Sequence, residues 1–380
     1  MRFFLAVLIL FCTLSLFAQS DFEQFKSQQE QQYQQYEETG KKAQANYYSQ
    51  QDSMFIQYKE EIEKLWNEFL ESTPKSWVSY NSNFNGRSQV DFEKSEVKVE
   101  SVVDEKEVKS EEEAKEVIKE QLVSILKEKD KSTHKPILMN QVASPDDDSK
   151  PITPPEVEKA AEKIVEKAEK KVFTDKQGNQ KTKYVITLNL IPKNIQVRVD
   201  MYKPLIEQYC QQHDIEPKLA MAIIHTESFY NPKAYNRHGN AYGMMQIVPA
   251  YAGKTMNYVL YKNKSKPNSS QLYDPKVNLN MGIGYLRWLA DNKWEKIKNR
   301  DNQSYCIICS YNGGPGSIYK AMTGKMRRIG QAEWDRMIDD LNTMETDELY
   351  KKLRKDIPWA ETRNYIKLVC DRMEKYYKDQ

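Results

Sequence analysis

One glutamate closes an apolar run, Leu219-Ala-Met-Ala-Ile-Ile-His-Thr-Glu-Ser228. Leu219, Ala222, Ile223 and Thr226 recur at the spacing of one helix face, and Pro217 stands where a first helical turn tolerates proline. Glu227 lies one turn past Ile223, at the end of that stripe. A carboxyl leaving an apolar face is partly stripped of water, which disfavours its charge and raises its pKa toward the range a general acid needs. The alternative is a glutamate at the stripe's edge that turns out to solvent. Ser228-Phe-Tyr-Asn-Pro232 and Gly239 then mark a loop, and Gly243-Met-Met-Gln246 returns a compact apolar segment carrying one amide. Farther along, Ser310-Tyr-Asn-Gly-Gly-Pro-Gly316 ends another apolar helix and supplies a second amide beside glycines that permit close backbone approach.

Taken together, these stretches resemble the catalytic domain of the soluble lytic transglycosylase family, relatives of goose-type lysozyme. The matching pieces are Thr226-Glu-Ser228, Gly243-Met-Met-Gln246, Ala-Gly253-Lys, Asp274-Pro-Lys-Val-Asn278, Gly282-Ile-Gly-Tyr-Leu286, Tyr311-Asn-Gly-Gly314 and Glu361-Thr-Arg-Asn-Tyr365. They fall in family order over roughly residues 200 to 377, and the specificity lies in the combination. The resemblance implies Glu227 as the catalytic residue, with Ser228, Asn236, Met245, Gln246, Tyr311, Asn312 and Tyr365 around the glycan. It makes Tyr365 a hydrogen-bond partner of Glu227, although its helix pattern with Ile366 and Val369 also suits simple packing. Tyr311 is open between a cleft-lining role and a buried core tyrosine. Asn236 stands where many members carry a serine, nine residues after the glutamate. Glu361 is expected to pair with a basic side chain.

Cleaving a glycosidic bond requires a proton for the departing oxygen and stabilisation of an oxocarbenium-like centre, work that most glycosidases divide between two carboxylates. Between Ser228 and Tyr273 there is no Asp or Glu. The acids that goose-type lysozymes place shortly after their catalytic glutamate therefore have no counterpart. One carboxyl would protonate the oxygen between N-acetylmuramic acid and N-acetylglucosamine, then deprotonate the muramic acid's own 6-hydroxyl, closing a 1,6-anhydro ring without water. Gln246 can both donate to and accept from sugar groups, and Met245 offers an apolar wall. A muramidase on the same scaffold, or an inactive peptidoglycan-binding scaffold, are the alternatives. His225 and His238 match no catalytic position. Lys233, Arg237, Lys254, Lys262, Lys264 and Lys266 give this segment positive charge, either as a solvated face or as attraction to the carboxylates of stem peptides.

The elements that must hold these groups divide the chain. Met1 to Ala18, with one early positive charge and an apolar run, is expected to be a signal peptide, giving a periplasmic protein with outer-membrane association left open. Phe11 before Cys12 does not suit a lipid-attachment site. Residues 19–53 are a Gln-rich tether or helix. Residues 54–192 suggest an α+β domain: Phe55 to Phe69 in helical rhythm, short alternating runs at Trp77, Gln89 to Phe92 and Glu96 to Val99, a capping box at Ser110, a stiff polar break from Ser144 to Pro155, a second capping box at Thr153, and a half-buried strand over Tyr184 to Leu190. Pro74-Lys-Ser-Trp-Val-Ser-Tyr80, Arg87-Ser-Gln-Val-Asp-Phe-Glu93 and Tyr184 to Pro192 resemble the N-terminal domain of the membrane-bound lytic murein transglycosylase C family. Residues 200–380 are expected to be an all-α, lysozyme-like catalytic domain, with helices at 205–210, 219–228, 279–290, 304–311, 334–341 and 362–376.

With 57 basic and 55 acidic residues the formal charge is +2, which argues against a nucleic-acid partner. Peptidoglycan glycan strands are the implied partner, and the sequence says nothing of protein partners. No cofactor or metal is expected: the histidines are scattered, and Cys306-Ile-Ile-Cys309 reads as core packing. A bridge between Cys210 and Cys370 is left open.

Overall fold

The computed structural model describes residues 53–103, 110–326 and 330–378, and the chain divides into two compact units, Met1–Phe69 and Leu70–Gln380. The signal peptide expected at 1–18, Cys12, and all but the last residue of the tether lie outside the described residues. In the first unit, α1 covers residues 53–63. Its helical periodicity runs on in sequence to Phe69, which instead folds back to meet Phe55 edge to face at 5.6 Å.

The second unit begins with β1 (Ser76–Tyr80), β2 (Gly86–Asp91) and β3 (Glu96–Val102), followed by α2 (Glu111–Lys127), the hairpin β4 (Ala143–Ser144) and β5 (Asp147–Pro151), α3 (Val157–Val165), β6 (Glu169–Thr174) and β7 (Gln180–Asn189). The main sheet is antiparallel in the order β1-β2-β3-β7-β6. Alternation in β3 aims Val97 and Val99 into a core shared with Ala114, Ile118, Leu122 and Ile125 of α2. Ser110 Oγ accepts from Glu113 N at 3.2 Å, and the Thr153/Glu156 box opens the turn into α3. On the sheet, Arg87 and Glu100 face one another in register, and both are buried. The guanidinium Nε donates to Glu100 Oε2 at 2.6 Å, and Lys183 adds a second donor at 2.9 Å. Burial alone would raise the Glu100 carboxyl, but these cations hold it down at about 2.

From residue 194 the chain is almost wholly helical: α4 (Asn194–His213), α5 (Pro217–Ser228), a short hairpin β8 (Tyr235–Asn236) and β9 (Ala241–Tyr242), a π-helical turn (Pro249–Gly253), α6 (Lys254–Tyr261), α7 (Ser269–Leu272), α8 (Pro275–Lys293), α9 (Arg300–Gly313), α10 (Pro315–Thr323), α11 (Gln331–Thr343), α12 (Thr346–Asp356) and α13 (Ala360–Tyr376). The expectation of an α+β part followed by a helical, lysozyme-like part holds, with more helices than periodicity revealed. α12 escaped because its buried residues are only Leu349 and Leu353 in a highly charged helix. The helix of Glu227 also differs from an amphipathic stripe: every residue from Leu219 to Thr226 is buried, so α5 runs through the core. Cys306 and Cys309 are buried in that core, where desolvation raises both thiols, and Cys210 and Cys370 are free. No helix among the described residues is long and apolar enough to cross a membrane.

Two apolar cores therefore share the second unit, joined by polar contacts. Arg198 of α4, buried, donates from NH1 to Gln141 Oε1 at 2.7 Å and from Nε to Phe229 O at 2.9 Å. Tyr202 OH donates to Asp130 Oδ2 at 3.2 Å. Lys233 pairs with Glu128 at 2.6 Å and Arg237 with Glu71 at 3.4 Å, so two cations of the basic segment serve this seam.

Candidate active site

α5 ends one residue past Glu227, and it stops through a left-handed residue. Phe229 adopts φ 54°, and its N–H donates to His225 O at 3.2 Å. Its ring lies beneath Lys75 at 5.3 Å and Arg372 at 5.0 Å, and its carbonyl is held by Arg198 as above. The helix end is thus fixed on three sides, two residues after Glu227.

Glu227 is half-buried, and Tyr365 OH from α13 donates to its Oε1 at 2.7 Å. Loss of water raises the carboxyl most, the tyrosine's hydrogen bond opposes this, and the nearby Glu361 charge adds to it, leaving a pKa of about 7. A neutral donor orients the group without forcing it to ionise. Such a carboxyl can hold a proton and release it near neutrality, which general acid catalysis followed by base catalysis requires.

The Gly243–Gln246 turn stands beside it. Gly243 has φ 72°, and a Cβ there would meet Asn278 Nδ2 at 2.3 Å and Leu272 O at 2.4 Å, so only glycine fits. Asn278, buried at the start of α8, pins the turn by donating to Tyr242 O at 2.8 Å and Leu272 O at 2.9 Å while accepting from Met245 N at 2.8 Å. Sequence reasoning passed over Asn278, although it stands in one of the matching motifs. Gln246, at φ 47°, donates from Nε2 to Gly243 O at 2.9 Å, while its Oε1 is buried without a hydrogen-bond partner. That acceptor is free for a hydroxyl or amide N–H.

The remaining site residues separate into two groups. Tyr311 is half-buried and donates to Met245 O at 2.8 Å; burial and then the Glu227 charge raise its phenol well above the usual range. Asn312 donates from Nδ2 to Glu361 Oε1 at 3.2 Å and accepts from Thr362 Oγ1 at 2.6 Å. Glu361 therefore takes an amide as partner, in place of the expected basic side chain. Ser228 and Met245, expected around the glycan, take part in internal contacts. Both are fully buried: Ser228 Oγ donates to Met244 O at 2.8 Å, locking the turn onto α5, and Met245 packs so tightly on Gly282 that a Cβ there would lie 2.2 Å from Sδ. Asn236 spends its Oδ1 on Gly239 N at 3.0 Å, closing the β8–β9 turn. His225 is buried against Tyr377 OH at 3.0 Å, with its pKa pushed down to about 3 by burial and then by Arg372, Arg198 and Lys75; His238 is exposed.

A family model described as "Transglycosylase SLT domain" matches residues 204–333, and one described as "Membrane-bound lytic murein transglycosylase C, N-terminal domain" matches residues 39–201. Both matches are to lytic transglycosylases, and together they run from residue 39 to residue 333. Among relatives named membrane-bound lytic murein transglycosylase C, that of Pectobacterium atrosepticum is 27% identical over 334 residues, covering 83% of this chain and 87% of that protein. That of Actinobacillus pleuropneumoniae serotype 5b is 28% identical over 327 residues, covering 83% and 84%. The solved 70 kDa soluble lytic transglycosylase of Escherichia coli aligns at 24% identity over 47% of this chain and 26% of that one, with a TM-score of 0.34; this chain spans about a quarter of its length. Glu227 of α5 and Tyr365 of α13 thus meet directly, Tyr311 of α9 reaches the Gly243 turn through Met245 O, and Asn312 at the end of α9 binds Glu361.

Proposed function

We propose that the chain cleaves the β-1,4 bond between N-acetylmuramic acid and N-acetylglucosamine in peptidoglycan without consuming water, Glu227 serving first as acid and then as base. In the first step the Glu227 proton passes to the glycosidic oxygen as the bond from C1 breaks and its electron pair leaves with that oxygen. In the second, the Glu227 carboxylate takes the proton of the muramic acid's 6-hydroxyl while that oxygen bonds to C1, giving the 1,6-anhydro end. Glu227 finishes protonated, so no external acid or base is needed. Tyr365 keeps the carboxyl aimed throughout, and Gln246 Oε1 accepts from the sugar or its N-acetyl group. The observation that carries this proposal is the half-buried carboxyl whose closest partner is a neutral phenol at 2.7 Å. Periplasmic action, with association to the outer membrane, belongs to the same proposal; the relatives' names say membrane-bound.

One observation favours a muramidase instead: Glu361 is a second carboxylate close enough for its charge to act on Glu227. A second carboxylate can activate water. Digestion of purified peptidoglycan followed by mass spectrometry separates the two. Anhydro-ended fragments, absent with Glu227→Gln, support the transglycosylase; fragments heavier by one water, with free reducing ends, mean hydrolysis.

A further inference from the structure

The chemistry above leaves one face of α6 unused. Tyr251, Lys254, Tyr258, Tyr261 and Lys262 follow one another at steps of three, four, three and one along the π-turn and α6, so they share a side, while Met256 and Asn257 on the opposite side are buried. The tyrosines are 75%, 52% and 48% exposed for Tyr251, Tyr258 and Tyr261. Asn280 Nδ2 donates to Tyr261 OH at 3.1 Å, and Lys262 Nζ lies 5.9 Å from the Tyr258 ring, so this face is partly ordered before anything binds. Lys264 and Lys266 continue the positive charge into the next loop, which Asn257 Nδ2 holds through Ser265 O at 2.9 Å. Unlike Lys233 and Arg237, none of these four lysines forms an ion pair among the described residues, and no acidic residue occurs from 228 to 273.

We propose that this face is a second docking surface for peptidoglycan, distinct from the Glu227 site, on which sugar rings of a strand lie against the tyrosines while ionised stem-peptide carboxylates meet the lysines. It rests on the substrate class proposed above. Flat aromatic faces suit the C–H faces of pyranose rings, and charge complementarity selects a strand carrying carboxylates over a neutral polysaccharide. A surface of this kind would hold the enzyme on an insoluble wall between cleavages and add avidity to a weak single-site grip.

The test measures retention of the full chain on insoluble peptidoglycan, using Glu227→Gln so that binding is read without cleavage. Adding Tyr251→Ser with Tyr258→Ser is expected to weaken retention roughly tenfold, on intact walls and on walls stripped of stem peptides by an amidase. Lys254→Glu with Lys262→Glu is expected to weaken it on intact walls only, with the difference shrinking at high salt. In a chain with Glu227 intact, the tyrosine pair is expected to leave cleavage of short soluble glycans unchanged. Unchanged retention in both pairs overturns the proposal. So does unchanged wall retention combined with lost binding to phosphatidylglycerol vesicles, which would make the face a lipid contact. A chain with Glu227 intact that cleaves no peptidoglycan sinks the catalytic proposal instead, and its wall retention still decides this one.

Discussion

Glu100 and Glu227 are both glutamates withdrawn from water, and they are driven in opposite directions. On the sheet, Glu100 faces a guanidinium at 2.6 Å and an ammonium at 2.9 Å, and its carboxyl is held at about 2. At the end of α5, Glu227 faces a neutral phenol at 2.7 Å, and burial raises it to about 7. Burial acts upward on both, so the charge of the partner decides the outcome. The first arrangement favours the ionised form, and the second leaves a carboxyl that can carry a proton near neutrality.

The largest expected effect comes from removing the partner that Glu100 depends on. Arg87→Met leaves a carboxylate buried with reduced compensation and should cost about 3–5 kcal/mol in denaturant unfolding. In the unaltered chain the folded pKa of Glu100 lies below its unfolded value, so its contribution to stability is present above roughly pH 4.5 and disappears as pH falls through about 2. Glu227 should behave in the opposite sense. Its folded pKa lies above the unfolded value, so the folded chain binds the extra proton and stability falls as pH rises from roughly 4.5 through about 7. Glu227→Gln removes that penalty, and unfolding measured at pH 8 should show a gain of about 1–3 kcal/mol, fading near pH 4.

Tyr365→Phe sharpens the comparison at the site itself. It removes the one hydrogen bond that lowers Glu227, so the alkaline limb of the pH–rate profile should move up, while loss of aim reduces kcat roughly tenfold. Glu361→Gln should have the smallest effect. Deleting the charge that helps raise Glu227 should move the same limb down, and added salt should shrink the difference because Glu361 is exposed. A limb that moves the same way in both variants would break the electrostatic account of Glu227.

Much of this was legible in the residues. Alternation at Val97, Val99 and Ile186 located the sheet, and Ser110 and Thr153 announced their helices through caps, because these signals are local. The helical part was harder. α10 begins at Pro315 itself, inside a Gly-Gly-Pro-Gly stretch that reads as a loop, and α12 buries too little to show a face. At the site, motif membership does not tell an accessible side chain from one packed inside the protein. Ser228 and Met245 stand in the matching motifs yet spend their contacts inside the protein, and Asn278, given no role, fixes the turn that carries Gln246. Tyr365 meets Glu227 across 138 residues, a contact that no local periodicity encodes; only the family resemblance named it.

The most direct test is to titrate Glu227 in the folded chain by carboxyl NMR, assigned through loss of the signal in Glu227→Gln. A midpoint near 7, well above that of Glu100 in the same spectra, is the expected result. A midpoint at or below the ordinary glutamate value near 4.5 would contradict a carboxyl able to give its proton to the glycan and take one back.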